Sequence, residues 1–206
     1  MQTSSPDYPI QLALPEGREI NRWWGLFGLG QVARFLLCIP HLLVLIALGI
    51  AVMLGSLIMW IPILLFGRVP TLWCRLGTEI ITRSARVSAY FLYLFPGDYP
   101  ALGAGEAGPL EVQIKAGDTS INRLWGIPFF GAFARFVVLI PHLVVLGVLG
   151  TVTQFIAAFV WIPVLINGRY PEIAIKVVGL TLRYQARVTA YLLMLPVPYL
   201  PFDFEM

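Results

Sequence analysis

Long unbroken apolar runs, rather than alternation, dominate this chain. Residues 35–66 form 32 consecutive positions without Asp, Glu, Lys or Arg. The apolar character extends from Trp24 to Phe66, and again from Trp125 to Ile166. One bilayer crossing takes about 20 apolar residues, so each block predicts membrane-embedded helix. Each block closes on Gly-Arg-x-Pro: Gly67-Arg68-Val69-Pro70 and Gly168-Arg169-Tyr170-Pro171. Glycine suits a helix C-terminus and proline the first turn of the next helix. A third helical segment then runs from about Thr71 to Phe95, and from Glu172 to Leu195. Its polar positions include Arg75, Arg83 and Arg86 in one case, Lys176, Arg183 and Arg187 in the other. Period-two alternation is confined to Tyr8–Leu14 and Leu110–Lys115, which predict short strands.

The same order of elements occurs twice because the sequence does. Asn21-Arg22 returns as Asn122-Arg123, and Ala33-Arg34-Phe35 as Ala134-Arg135-Phe136. Ile39-Pro40-His41-Leu42 returns as Ile140-Pro141-His142-Leu143, and Trp60-Ile61-Pro62 as Trp161-Ile162-Pro163. Ala85-Arg86-Val87 returns as Ala186-Arg187-Val188. Every pair is 101 positions apart, with about 31 identities over the 75 gapless positions from Ile20 to Leu94. The boundaries follow: a first membrane repeat over 1–102, a Gly-rich linker over 103–108, and a second membrane repeat over 109–206.

Two placements of each apolar block compete. A single helix from Pro40 to the Trp60–Pro62 region matches one bilayer crossing. Alternatively the block folds as a hairpin with its corner near Gly49, and near Gly150 in the second repeat. Charge favours the second. Three basic residues precede each block and four follow it, so one crossing per repeat would give both faces equal positive charge. The positive-inside rule expects asymmetry, which an even number of crossings supplies. The third helix could itself be the return crossing, but its cations favour an interfacial, amphipathic position. The expected fold is therefore an all-α integral membrane protein. It is a tandem duplication of a membrane helical hairpin plus an amphipathic interfacial helix, with short extramembrane β-strands opening each repeat.

Composition agrees with the pattern. Of 206 residues, 58% are hydrophobic and 12% charged, too little polar surface for a water-soluble core. The 14 Lys and Arg against 11 Asp and Glu give only +3, which suits an anionic lipid surface and gives no case for nucleic acid. Cys38 and Cys74 fit no metal spacing and read as small buried hydrophobes. The start, MQTSSPDYP, has no basic stretch followed by an apolar one, so no cleaved signal is expected.

Candidate chemistry is sparse. His41 and His142 are the only histidines and are repeat-equivalent. Brought face to face they could ligate a haem iron; a structural role at a helix start needs less. Arg34, Arg86, Arg135 and Arg187 lie near or within apolar zones, where a lipid phosphate or quinone headgroup would need them. Structural alternatives are snorkelling, or local pairing of the Glu79–Arg83 kind. Trp23, Trp24, Trp60, Trp73, Trp125, Trp161, Tyr90 and Tyr191 fit interfacial belts. The motifs of hydrolases, zinc proteases and nucleotide-binding loops are missing, and the apolar blocks hold no carboxylate to carry ions. Neither enzymatic activity, nor a cofactor, nor a metal site is expected.

One pattern ties these residues together: Arg135, Ile140-Pro141-His142, Trp161, Gly168-Arg169-Tyr170-Pro171, Ala186-Arg187-Val188, Ala190-Tyr191 and Pro201-Phe202. It resembles domain-of-unknown-function family 4389, a group of small bacterial membrane proteins, here in two tandem copies. The first copy departs at Val69, and at its ending Asp98-Tyr99-Pro100-Ala101. The resemblance implies a bacterial cell (inner) membrane location, multi-pass or hairpin-inserted, and no catalysis. The expected role is a non-catalytic accessory or scaffold subunit. Its partners would be membrane lipids and other integral membrane subunits or copies of itself. A lipid- or quinone-binding module is the alternative, and a haem-binding electron carrier the third.

Overall fold

The computed structural model describes residues 10–13, 19–26, 29–92, 111–114, 120–127, 130–197 and 199. Most of them are helical. Helix α1 (Leu29–Phe66) is 38 residues long and contains Pro40 and Pro62. Helix α2 (Thr71–Val87) continues into a π-turn over Ser88–Leu92. In the second half α3 (Phe130–Phe159) is followed at once by α4 (Trp161–Asn167), and then by α5 (Glu172–Leu192). The junction residue Val160 keeps helical angles, and its amide still donates to Ile156. The interruption falls where Pro163 has no N–H to offer the Phe159 carbonyl.

The apolar blocks do not turn at Gly49 or Gly150. Both glycines lie inside continuous helix. A single glycine costs about 1 kcal/mol relative to alanine in a helix, which flanking leucines and isoleucines outweigh. The reversals occur at Gly67 and Gly168 instead. Each adopts φ of +64°, a left-handed conformation that only glycine takes without strain. Their amides close the last helical turns on Ile63 and Val164, at 2.9 and 2.8 Å. Pro70 and Pro171 then hold extended angles at the caps of α2 and α5. The hairpin therefore forms between the long helix and the third helix, not within the apolar block.

The third helix is the return arm of that hairpin: α2 runs back along α1, with Trp73 against Gly55 and Val87 and Tyr90 against Cys38. Helix α5 does the same to α3, packing Tyr184, Val188 and Tyr191 on Leu139. The two return helices meet at the centre. Trp73 Nε1 donates to the Leu193 carbonyl at 2.7 Å, and Gly77 leaves room for Leu195. Ile81, Ala85, Val178, Leu182 and Ala186 fill the core between them. Fully burying such a side chain contributes about 1.5–3 kcal/mol for the larger ones.

The halves are clasped crosswise. Ile20 N–H donates to Gly168 O at 3.1 Å, and Ile121 N–H donates to Gly67 O at 2.9 Å. Glu19 bridges Arg169, and Arg68 bridges Ser120. These contacts repeat with one 101-residue offset. Short 3-10 turns, Arg22–Gly25 and Arg123–Gly126, follow each clasp, capped by the Asn21 and Asn122 side chains. Gly126 presses on the backbone of Leu64, where a β-carbon would come within 2.5 Å of the amide nitrogen. Thus α1 starts beside the end of α4 and ends beside the start of α3, and the long rods run in opposite directions. Strands β1 (Ile10–Ala13) and β2 (Glu111–Ile114) pair antiparallel, with Ile10 opposite Ile114 and Ala13 opposite Glu111. The linker 103–108 lies outside the described residues.

Two stretches, Val32–Phe66 and Phe133–Asn167, are long and apolar enough to cross a membrane. Their outer faces display large hydrophobic side chains, among them Leu43, Ile46, Met53, Leu57, Val144, Val148 and Phe155.

Candidate functional site

The candidate residues assemble into two polar hubs, one at each end of the helical layer. In the first, Arg34 is 1% exposed. Its Nη1 donates to the Tyr90 carbonyl at 2.8 Å, and its guanidinium lies 4.4 Å from the centre of the Tyr90 ring. The acceptor sits in the π-turn, where the i→i+5 pattern disturbs regular backbone pairing. Cys38 and His41 are buried one and two turns further along α1. Arg83 Nε donates to Glu79 Oε1 within α2, and Arg86 is buried beside them.

The second hub starts identically. Arg135 Nη1 donates to the Tyr191 carbonyl at 2.9 Å, near the end of α5, where the same carbonyl also accepts the Met194 amide at 3.2 Å. The guanidinium is sandwiched by Trp125 and Tyr191, each ring centre 4.9 Å away. Its Nε is buried with no hydrogen-bond partner among the described residues. Beyond Arg135 the hubs diverge. His142, fully buried, has Nδ1 2.6 Å from the Tyr184 hydroxyl and Nε2 2.8 Å from the Tyr199 hydroxyl. A neutral imidazole has one N–H and one lone pair, so one phenol accepts while the other donates. Tyr199 also meets the Tyr191 ring edge-on at 6.0 Å. Burial pushes the Tyr184 phenol above its ordinary value; Tyr199 adds to the rise and the nearby Arg187 opposes it. Burial likewise raises Tyr191, against the pull of Arg135. Both phenols therefore stay protonated near neutral pH. Thr153 and Thr181 share a 2.6 Å hydrogen bond between α3 and α5.

The structure does not bring His41 and His142 face to face. Each sits in the first part of a long helix, and those helices start at opposite ends. Both nitrogens of His142 are already engaged by phenols, leaving no lone pair for iron. Among the described residues no three His, Cys, Asp or Glu gather as a metal set. The arginines expected to reach for lipid, Arg34, Arg86, Arg135 and Arg187, are all buried. Their contacts lie within the fold. Trp73, Tyr90 and Tyr191, expected in interfacial belts, are core residues.

Sequence reasoning missed Tyr184 and Tyr199 as histidine partners. A signal existed. Arg135, Leu139 and His142 on α3, and Tyr184, Val188 and Tyr191 on α5, follow four-three spacing, which puts each trio on one helix face. Only the folded hairpin sets the two faces against each other.

Residues 131–205 match the family model described as Domain of unknown function (DUF4389). The match is one copy and covers the second hub except Trp125. It does not extend to the expected tandem pair, and Val69 with the Asp98–Ala101 ending are where the first half departs. No curated protein and no solved structure matches the chain.

Proposed function

We propose that this chain is a non-catalytic integral membrane subunit, an accessory or scaffold that packs within a larger membrane assembly or against copies of itself. The observation that carries the proposal is the division of its polar groups. The buried arginines and His142 bond to groups inside the fold, while α1 and α3 turn apolar side chains outward along most of their length. Polar groups consumed by architecture leave little for chemistry, and bare apolar helix requires lipid or another apolar helix. We read the chain as a duplicated unit of a bacterial cell membrane, with its strands outside the lipid. The 101-residue offset of the crossed clasps supports the duplication.

Native mass spectrometry after gentle extraction tests the proposal. A defined set of co-purifying subunits, or a homo-oligomer, is the expected result. A lone chain retaining a small molecule would overturn it in favour of a lipid- or quinone-binding module. One observation favours that second reading: the buried Arg135 Nε, held between two aromatic rings, has no hydrogen-bond partner among the described residues. In that case Arg135→Gln would abolish retention of the small molecule.

A further inference from the structure

The paired contacts define a local two-fold axis. The ladder register is unchanged when Ile10 is exchanged with Glu111 and Ala13 with Ile114. The same operation exchanges the Ile20–Gly168 clasp with the Ile121–Gly67 clasp. The axis therefore passes through the middle of the ladder, equally far from both ends of the helical layer. From that centre the chain must reach both ends: Ala13 leads to Glu19 at one, Ile114 to Ser120 at the other. The intervening sequences carry Glu16 and Arg18, and Lys115 and Asp118.

An upright molecule conflicts with this arrangement in three ways. At 1.5 Å per residue the 38 residues of α1 extend about 57 Å, against a hydrocarbon thickness of about 30 Å. With the helices across the bilayer, the ladder would sit at midplane depth. Hydrocarbon does not accept open strand edges or irregular backbone exposed to lipid. Finally, Arg22, Arg34 and Arg169 cluster at one end and Arg68, Arg123 and Arg135 at the other. Upright, the two faces would carry equal positive charge, contrary to the usual asymmetry.

Turning the axis along the membrane normal removes all three conflicts. Both ends then lie at one depth, the ladder faces water, and the exposed cations Arg22, Arg68, Arg123 and Arg169 meet a single headgroup layer. Between Phe35 and Phe66 no charged residue interrupts α1, so whichever side faces down is apolar. Resting on the membrane reading above, we infer that the protein is monotopic. Its two long helices lie along one leaflet instead of crossing the bilayer, and the occupant of their exposed faces is lipid.

Counting impermeant tags per molecule tests this. In a Cys38→Ala, Cys74→Ser background, Glu19→Cys and Ser120→Cys mark the two ends at exposed, equivalent positions. Sealed membrane vesicles are treated with a membrane-impermeant maleimide of large mass and resolved by gel. A monotopic chain carries two tags or none, even in vesicles of mixed orientation, and two on every chain after permeabilisation. One tag per chain before permeabilisation would overturn the inference while leaving the membrane proposal intact. Release of the untagged protein by an alkaline wash would overturn both.

Discussion

Arg34 and Arg135 perform one task in two settings. Each leaves a long helix, passes over an aromatic ring and bonds the carbonyl of a tyrosine near the end of the returning helix. Around that shared bond the side chains differ. Where the second hub places Tyr184 against His142, the equivalent position of the first holds Arg83, engaged with Glu79. The difference separates what the backbone demands from what each site is free to choose. A helical hairpin gains from a donor at its open end, where the last carbonyls lack an amide four residues on. A tyrosine–histidine–tyrosine chain is an addition on top of that requirement.

Removing the shared element has the largest expected effect. Arg34→Ala and Arg135→Ala each lose a charge-assisted bond and leave a buried void. Each should cost about 3–4 kcal/mol, read from chemical unfolding in detergent. Similar losses would confirm that the two ends are equivalent; a near-neutral Arg34→Ala would break the comparison at its root.

A second pair of positions sharpens it. Trp73 fills the notch at Gly55, where a β-carbon would lie 2.4 Å from the ring. The equivalent residues of the second half are Ala174 and Ile156, the same volume divided the other way. Gly55→Ile alone should cost about 2–3 kcal/mol by overpacking, and Trp73→Ala about 3 kcal/mol by cavity. The double variant imports the second half's solution and should recover about 1–2 kcal/mol of the sum. Strict additivity would show that the halves solve the packing problem independently.

Smaller effects belong to the tyrosine–histidine–tyrosine chain, which among the described residues is seen at the second hub. Tyr184→Phe leaves a buried imidazole nitrogen without its partner and should cost about 1–2 kcal/mol. The weakest signal is alkaline. The Tyr184 phenol is raised, first by burial, so the folded state holds its proton more tightly than the unfolded chain does. Its contribution is complete below the ordinary phenol value of about 10. It is lost as pH climbs through the higher folded value. From pH about 10 up to that higher value, a plot of Tm against pH should fall less steeply in Tyr184→Phe than in the parent.

The sequence pattern revealed much of this. The apolar blocks, the Gly-Arg-x-Pro reversals and the arginines of both hubs were visible because each is a local signal. The corner at Gly49 was misjudged because hydropathy does not distinguish one long helix from two short arms. Backbone conformation does: Gly67 and Gly168 take the left-handed turn, and Gly49 and Gly150 stay helical. The cations of α2 and α5 suggested a surface helix, yet Arg83, Arg86 and Arg187 are buried in the fold. The crossed clasps and the tyrosine partners of His142 join residues far apart in sequence, beyond the reach of any periodicity.

Those clasps also impose an order on biosynthesis. The turn at Gly67 is made early, but the amide that caps the Gly67 carbonyl belongs to Ile121, which the ribosome adds only after the whole first hairpin has been made. Until then the first hairpin waits with the Gly67 carbonyl unsealed. A pause or truncation between the halves would therefore leave no finished half-protein.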